Sequence, residues 1–191
     1  RDKANQIVLT PGQLYFGKGP ALVHTLLGSC VAITLWHRKT KMGGMCHYLL
    51  ACRQNYQKNE HHQLGYYGTD AIKFFKQQLT KNGLNPNEFE VKLFGGGNMF
   101  EGIHDRPNVV NVASSNIVQG RQMLQEFGFV VNAEDFGGVR YRKIYFELNS
   151  GDVYVQYGKH SKTCGHRHSR SGGKRDPDIP ADLHSSDQRE C

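Results

Sequence analysis

The stretch LLGSCVAITLWHRKTKMGGMCHYLL, residues 26–50, carries the strongest signal for the fold, because it holds two apolar runs separated by one short polar segment. CVAITLW and GGMCHYLL are short, contain β-branched and aromatic residues, and are bounded by glycine or charged residues, which is typical of strands. The polar residues 37–40 between them indicate the turn of a hairpin. The stretch therefore predicts two adjacent antiparallel strands.

The hairpin predicts a specific pairing of its one upstream cysteine with its one histidine beyond the turn. If residues 37–40 form the loop, Trp36 faces Lys41, and pairing continues until Cys30 lies directly opposite His47. Directly opposed side chains share a face, with Cβ atoms about 4.5–5.5 Å apart. This register predicts that the thiol and the imidazole meet.

The other face of the same hairpin is almost wholly apolar, and it consists of Val31, Ile33, Leu35, Met42, Cys46 and Tyr48. We expect this face to be the core side, and Cys46 to be an inert core residue. The Cys30 face also carries Thr34, Lys41 and Gly43, which predicts a more open surface. A slip of one residue would exchange the two faces, so burial opposes it.

The remaining elements predict an α+β protein with stacked, mixed, largely antiparallel sheets. Helices are expected at about 70–81, capped by Thr69 and ended by Gly83, and at about 116–127, capped by Ser115 and ended by Gly128. Further strands are predicted in QIVL, FEVKLF, FVVNAED, VRYRKIYFEL and DVYVQY, with a hairpin turn at 149–151. The helices are expected on the outer faces of the sheets.

Length and composition predict one domain with a polar tail. The chain has 191 residues, of which 38% are hydrophobic, which suffices for a single core. Residues 1–6 are expected to be an extension and 7–157 the domain. Residues 158–191 are rich in serine, glycine, histidine and charge, which predicts disorder.

Cysteine usage and charge limit the compartment and the class of partner. Five cysteines, an odd number, do not suggest a secreted disulfide framework, and no apolar run has the length of a signal peptide or a membrane span. We therefore expect a cytoplasmic protein without membrane insertion. The net charge of +7 lacks a basic block interleaved with aromatic residues, so a solvated basic surface is favoured over nucleic-acid binding.

Cys30 and His47 have the residue types that nucleophilic catalysis requires. A free thiol is only a few per cent ionised at neutral pH, and a neighbouring histidine can take its proton and return it to a leaving amine. Gly28 lets the chain bend before the cysteine, so that backbone N–H groups of residues 28–30 could hold an oxyanion. Either His24 or Thr25 could orient the imidazole. From spacing alone, a buried structural cysteine is the commoner alternative.

Two further motifs carry weaker signals. Gly95, Gly96 and Gly97 are not followed by the Lys-Ser/Thr of a phosphate-binding loop, so we interpret them as a packing or substrate-lining loop that Asn98 helps to order. The segment CGHRH at 164–168 matches no zinc-finger spacing. We expect neither a metal nor a cofactor.

Five segments in a fixed order resemble one bacterial family. They are TLLGSCVAITLW, GGMCHYLL, LFGGGNMF, the segment 108–116, and AEDFGGVRYRKIYFELNSGDVYVQ. Together they resemble the chemoreceptor glutamine deamidases, the CheD family, over nearly all of residues 7–157. The resemblance implies a fold similar to the catalytic domain of cytotoxic necrotizing factor. It also implies a cysteine hydrolase that converts glutamines on chemoreceptor cytoplasmic helices to glutamate and releases ammonia.

The resemblance also implies roles for individual residues. It makes Cys30 the nucleophile, His47 its base and Thr25 the third site residue, although in some relatives the threonine lies six positions before the cysteine, where this chain has His24. Some relatives also hydrolyse receptor methyl esters, and some bind a CheC-type phosphatase. Two alternatives stay open, a thiol amidase or transglutaminase acting on other proteins, and a noncatalytic basic binding module.

Overall fold

Two stacked sheets form the body of the protein in the computed structural model, which describes residues 4–53, 63–99 and 112–158 and the backbone of 188–190. Across sheet A the order is β1 (Asn5–Leu9), β3 (Ala21–Leu27), β8 (Arg142–Glu147), β9 (Val153–Tyr157) and β10 (Gln188–Glu190). Across sheet B it is β2 (Leu14–Lys18), β5 (Met42–Tyr48), β4 (Val31–His37), β6 (Glu90–Gly95) and β7 (Val131–Phe136). The pairs β1–β3 and β6–β7 are parallel and the others antiparallel, which confirms the predicted class.

Both helices, α1 (Gly68–Lys81) and α2 (Val112–Glu126), pack on sheet B. The expected stripe of α1 is buried, because Ala71, Ile72, Phe75 and Leu79 all face the core. The helix begins earlier than predicted: Tyr67 is its N-cap and Thr69 lies inside it. Likewise α2 begins at Val112, so Ser115 lies in its first turn rather than at its cap.

The ends of the two helices follow the prediction. Gly83 and Gly128 lie just beyond α1 and α2, with φ of +65° and +85°. This left-handed conformation ends a helix and costs glycine little, because glycine has no Cβ. The glycine positions in the sequence were therefore better guides to the helix ends than the hydroxyl residues were to the starts.

Two apolar cores lie on either side of sheet B. One lies between sheet B and the helices and includes Val31, Ile33, Leu35, Cys46 and Tyr48, which confirms the predicted core face of the hairpin. The other lies between the two sheets and includes Ala32, Trp36 and Met45, with Cys30 packed against it. All seven residues of β4 are buried, so the prediction of an open face beside Cys30 is wrong.

The register of the β4–β5 hairpin also differs from the prediction. The loop is 38–41 rather than 37–40, and His47 lies opposite Ala32 rather than Cys30. The buried ring of His37 extends β4 by one residue, since its Nδ1 contacts the Thr40 hydroxyl at 2.8 Å, and Lys41 turns the chain with φ of 56°. Because the shift is two residues, every side chain keeps its predicted face.

Three of the described strands were not predicted, β2, β3 and β10. The seven residues of β3 alternate strictly, because Ala21, Val23, Thr25 and Leu27 are buried and the residues between them are not. Such alternation is the signature of a strand with one face on a core. This missed strand carries both candidates for the third site residue.

The ends of the chain add two observations. β1 begins at Asn5, within the segment predicted as an extension, and β10 pairs with β9 where the sequence predicted a disordered tail. The rest of that tail, with the CGHRH segment, lies outside the described residues. Within the described ranges, neither helix is long and apolar enough to cross a membrane.

Candidate active site

Cys30 lies where the chain crosses from one sheet to the other. β3 of sheet A ends at Leu27 and β4 of sheet B begins at Val31, so residues 28–30 form a bend at one end of the stacked sheets. The Cys30 side chain is half-buried against the core between the sheets. This desolvation raises the pKa of its thiol above the ordinary value, so the neutral thiol is the resting form.

His47 shares the inter-sheet face with Cys30. It lies opposite Ala32 in the hairpin, and Ala32 belongs to the core between the sheets. Cys30 lies two residues before Ala32, just outside β4, and packs against the same core. The sheet therefore presents thiol and imidazole to the same space between the sheets, without placing them directly opposite.

The backbone of His47 is held by the turn after β1. The amide of Gly12 donates to the His47 carbonyl at 2.8 Å, and the His47 amide donates to the Gln13 carbonyl at 3.0 Å. The imidazole is almost wholly buried, with 1% of the residue exposed. Its position is thus fixed from both the sheet and the turn.

Thr25 contacts the imidazole directly. Its Oγ1 lies 2.7 Å from Nδ1 of His47 and 2.7 Å from the carbonyl oxygen of Leu9. A carbonyl can only accept, so the single hydroxyl proton of Thr25 goes to Leu9, and Oγ1 must accept the proton on Nδ1. The contact therefore fixes the Nδ1–H tautomer and leaves the lone pair of Nε2 free.

The free nitrogen of His47 is suited to act as a base. Within the described residues Nε2 is buried and has no hydrogen-bond partner, so it is not hydrogen-bonded to the Cys30 thiol in this state. Burial lowers the pKa of His47 from 6.5 to about 4, which keeps the ring neutral at physiological pH. The site thus holds a neutral thiol and a neutral base rather than an ion pair.

His24 is directed away from this site. It lies next to Thr25 in β3, so its side chain is on the opposite face of sheet A, where the ring stacks on Tyr145 at 5.7 Å. Burial and the nearby Lys143 lower its pKa. Of the two candidates left open by the sequence, the structure brings Thr25 and not His24 into contact with His47.

The glycine loop, residues 95–98, supports the bend at Cys30 through backbone hydrogen bonds. Gly96 donates to the Cys30 carbonyl at 3.0 Å, and Gly97 donates to the Gly28 carbonyl at 3.1 Å. The amide of Asn98 donates to Gly138 at 2.7 Å. Each of these three amides already donates to a backbone carbonyl, so none of them is free to donate to an oxyanion.

The amides of Ser29 and Cys30 are better candidates for that role. Among the backbone hydrogen bonds of the described residues, neither amide is a donor. Gly28 leaves little room beside them, because a Cβ there would lie 3.2 Å from Met99 and 3.4 Å from Tyr141. Those two side chains therefore flank the bend.

The other described cysteines have different surroundings. Cys46 is fully buried, and burial raises the pKa of its thiol to about 12. Cys52 is exposed and lies 3.4 Å from a side-chain oxygen of Gln119. Among the described residues no group of three or more His, Cys, Asp or Glu side chains is arranged to bind a metal.

Comparison with known proteins shows the family of the chain. The family model described as "CheD chemotactic sensory transduction" matches residues 49–157. A protein of Pseudomonas fluorescens named "Probable chemoreceptor glutamine deamidase CheD" is 39% identical over 153 residues, which cover 80% of this chain and 84% of the relative. The chain belongs to the CheD family. The family model covers both helices and strands β6 to β9, whereas β1 to β5 precede the range that it matches.

More distant CheD relatives extend over similar lengths. A protein of Dechloromonas aromatica, "Probable chemoreceptor glutamine deamidase CheD 3", is 37% identical over 80% of this chain and 88% of its own. A third, from Leptospira interrogans, is 33% identical over 84% of this chain and 97% of its own. The similarity thus spans the CheD chain and is not confined to a short motif.

Several groups at this candidate site were not found from the sequence. Leu9, Gly12 and Gln13 act through backbone atoms, which leave no residue-type signal. Thr25 could have been separated from His24 by the alternation within ALVHTLL, since only one of two adjacent residues can face the core.

Proposed function

We propose that this protein hydrolyses the side-chain amide of glutamines on chemoreceptor cytoplasmic helices, with Cys30 as the nucleophile. The observation that supports this most is the chain of contacts from Leu9 through Thr25 to His47, which leaves Nε2 as a buried free base on the face that Cys30 shares. His24 also has a buried Nε2 without a partner among the described residues, but only His47 combines this with the Thr25 contact at Nδ1 and a place between the sheets. The names of the curated relatives supply the substrate.

The first half of the reaction forms a thioester. Nε2 of His47 takes the thiol proton as Sγ of Cys30 bonds to the carboxamide carbon, and the C=O electron pair moves onto oxygen. The amides of Ser29 and Cys30 donate to this oxyanion. The imidazolium then protonates the amide nitrogen, the C–N bond breaks and ammonia leaves.

The second half returns the enzyme to its starting state. His47 takes a proton from water, and the oxygen attacks the thioester carbon. The C–S bond breaks, the sulfur regains the proton from the imidazolium, and glutamate is released. Because burial keeps the imidazole neutral, the lone pair of Nε2 is present at the start of both steps.

Charge and family resemblance extend the proposal to partners. The net charge of +7 would speed encounter with receptor helices that are acidic around their methylation sites. A receptor methyl ester presents the same carbonyl group, so the same residues would hydrolyse it with methanol as the leaving group. A CheC-type phosphatase presenting a receptor-like helix is the expected regulatory partner, and the expected location is the cytoplasm.

The test is incubation with a receptor cytoplasmic fragment, followed by site-resolved mass spectrometry of each glutamine. Cys30→Ala and His47→Ala should abolish conversion of glutamine to glutamate, whereas Cys52→Ala, a matched change of an exposed cysteine, should retain it. Full activity in either of the first two variants would refute the roles. Amide products formed with an added primary amine would instead indicate a transglutaminase.

A further inference from the structure

We propose that Arg142 is a positioning residue for the Cys30 site, acting through the glycine loop that supports the cysteine. The inference rests on the proposed function, since it concerns how the reactive bend is held. Arg142 opens β8 in sheet A, and its side chain reaches Asp135 of β7 in sheet B. It therefore joins the two sheets.

The Arg142 side chain is buried and makes two hydrogen bonds. Only 5% of the residue is exposed, its Nε donates to Asp135 at 3.2 Å and its Nη2 donates to the Gly137 carbonyl at 2.8 Å. The Tyr157 hydroxyl donates to the second carboxylate oxygen of Asp135. A buried ion pair is stable only when its remaining hydrogen-bonding groups are satisfied, and here each partner has a second contact.

Four backbone hydrogen bonds connect this ion pair to the cysteine. They run from Gly137 N to Gly95 O at 3.0 Å, from Asn98 N to Gly138 O at 2.7 Å, from Gly96 N to Cys30 O at 3.0 Å, and from Gly97 N to Gly28 O at 3.1 Å. The glycine loop thus lies between the turn that Arg142 holds and the bend that carries the thiol.

The composition of these segments makes an external anchor necessary. Gly95, Gly96, Gly137 and Gly138 all have positive φ, between +62° and +120°. Glycine has the greatest backbone freedom of any residue and no side chain to pack, so these turns depend on hydrogen bonds for their position. A displacement of about 1 Å at a reacting group can cost about 100-fold in rate.

The structure offers a matched control. Arg121 of α2 forms the same kind of pair with Glu134, the residue before Asp135, and its guanidinium lies over the Phe136 ring at 4.7 Å. This pair is more exposed, with 40% of the Arg121 side chain accessible, and it contacts neither the glycine loop nor the Gly137 turn. Arg121→Lys therefore removes a bidentate pair without affecting the proposed path.

The experiment compares Arg142→Lys with Arg121→Lys in the full chain. Lysine keeps the charge but cannot donate to Asp135 and Gly137 in the fixed geometry of a guanidinium. We expect Arg142→Lys to lower kcat for receptor deamidation about 10- to 100-fold with little change in KM. It should also change the iodoacetamide reactivity of Cys30, measured against Cys52 in the same molecule. Arg121→Lys should change neither quantity.

Equal kcat and equal Cys30 reactivity in the two folded variants would overturn the proposal. If Arg142→Lys does not fold, Tyr157→Phe tests the proposal instead, because it removes the hydroxyl that contacts Asp135 and keeps the ring. A lower kcat together with altered Cys30 reactivity in Tyr157→Phe would support the proposal. Wild-type values of both quantities would overturn it. Failure of the proposed function looks different. If the proposed function is wrong, the wild-type protein would leave receptor glutamines unchanged. The rate of Cys30 alkylation by iodoacetamide could still be compared between Arg142→Lys and Arg121→Lys.

Discussion

Thr25→Val tests the tautomer of His47, on which the proposed mechanism depends. Valine has the shape of threonine but no hydroxyl, and Thr25 is buried with 3% of the residue exposed. The change removes the acceptor for Nδ1–H of His47 and the donor to the Leu9 carbonyl, each at 2.7 Å. The apolar packing between the sheets is otherwise kept.

The expected magnitude follows from the cost of an unsatisfied buried donor. Leaving Nδ1–H without a partner costs about 1–3 kcal/mol. The imidazole can relieve this cost by moving the proton to Nε2, but that tautomer has no lone pair facing the cysteine. At about 1.36 kcal/mol per tenfold change, the base-competent tautomer and kcat should fall by about 5- to 150-fold.

The assay pairs kinetics with a spectroscopic measurement. Receptor deamidation gives kcat, and ¹⁵N NMR of the His47 ring shows which nitrogen carries the proton. Wild-type protein should be protonated at Nδ1, and Thr25→Val should shift toward Nε2. Thr25→Ser keeps the hydroxyl and should restore most of the rate. A wild-type ring protonated at Nε2, or an unchanged kcat in Thr25→Val, would contradict the assigned role of Thr25.

Three other outcomes follow from the buried groups and the glycine loop. The pKa of His47 is about 4 in the folded protein and 6.5 when the ring is fully solvated, so the unfolded chain binds the proton first as pH falls. The free energy of unfolding should therefore drop by about 3 kcal/mol between pH 6.5 and 4, and urea titrations should show a smaller drop for His47→Gln. Cys46, with its pKa near 12, should resist iodoacetamide in the native protein while Cys52 reacts, as peptide mass spectrometry would show; modification of native Cys46 would contradict its burial. Gly95→Ala should lower the free energy of unfolding, measured in urea, by at least about 1–3 kcal/mol and should lower activity, because Gly95 has φ of +120° and a Cβ there would collide with the Cys30 carbonyl. Gly83 also has positive φ but has open space around it, so Gly83→Ala should lower the free energy of unfolding less and leave activity unchanged.

The hairpin shows how far sequence reasoning reached and where it stopped. Alternation of apolar residues predicted the correct face for Cys30, Cys46 and His47, because a strand has a period of two. The register was wrong by two residues, since the turn is set by the contact of the buried His37 ring with Thr40. The prediction that the Cys30 face of the hairpin is open was wrong, because sheet A covers this face.

Some residues of the candidate site could be predicted from the sequence, and others could not. Cys30 and His47 could be proposed from the sequence because the chemistry of a thiol and an imidazole is visible in the residue type. Arg142 and Asp135 were not singled out, since a single arginine and a single aspartate are common surface residues until folding buries them together. The glycine loop was predicted to be a packing or substrate-lining loop, and the amides of residues 96–98 donate to backbone carbonyls of the bend and of Gly138.

Residue pattern was enough to predict the α+β class, the ends of the helices, the core side of the hairpin, and a cysteine and a histidine on one face. It could not predict that Thr25, and not His24, meets His47, because that choice depends on which face of β3 packs against sheet B. The tautomer depends on the Leu9 carbonyl, 16 residues before Thr25. Local pattern fixes which way a side chain faces, but which group it meets is set by hydrogen bonds between distant segments.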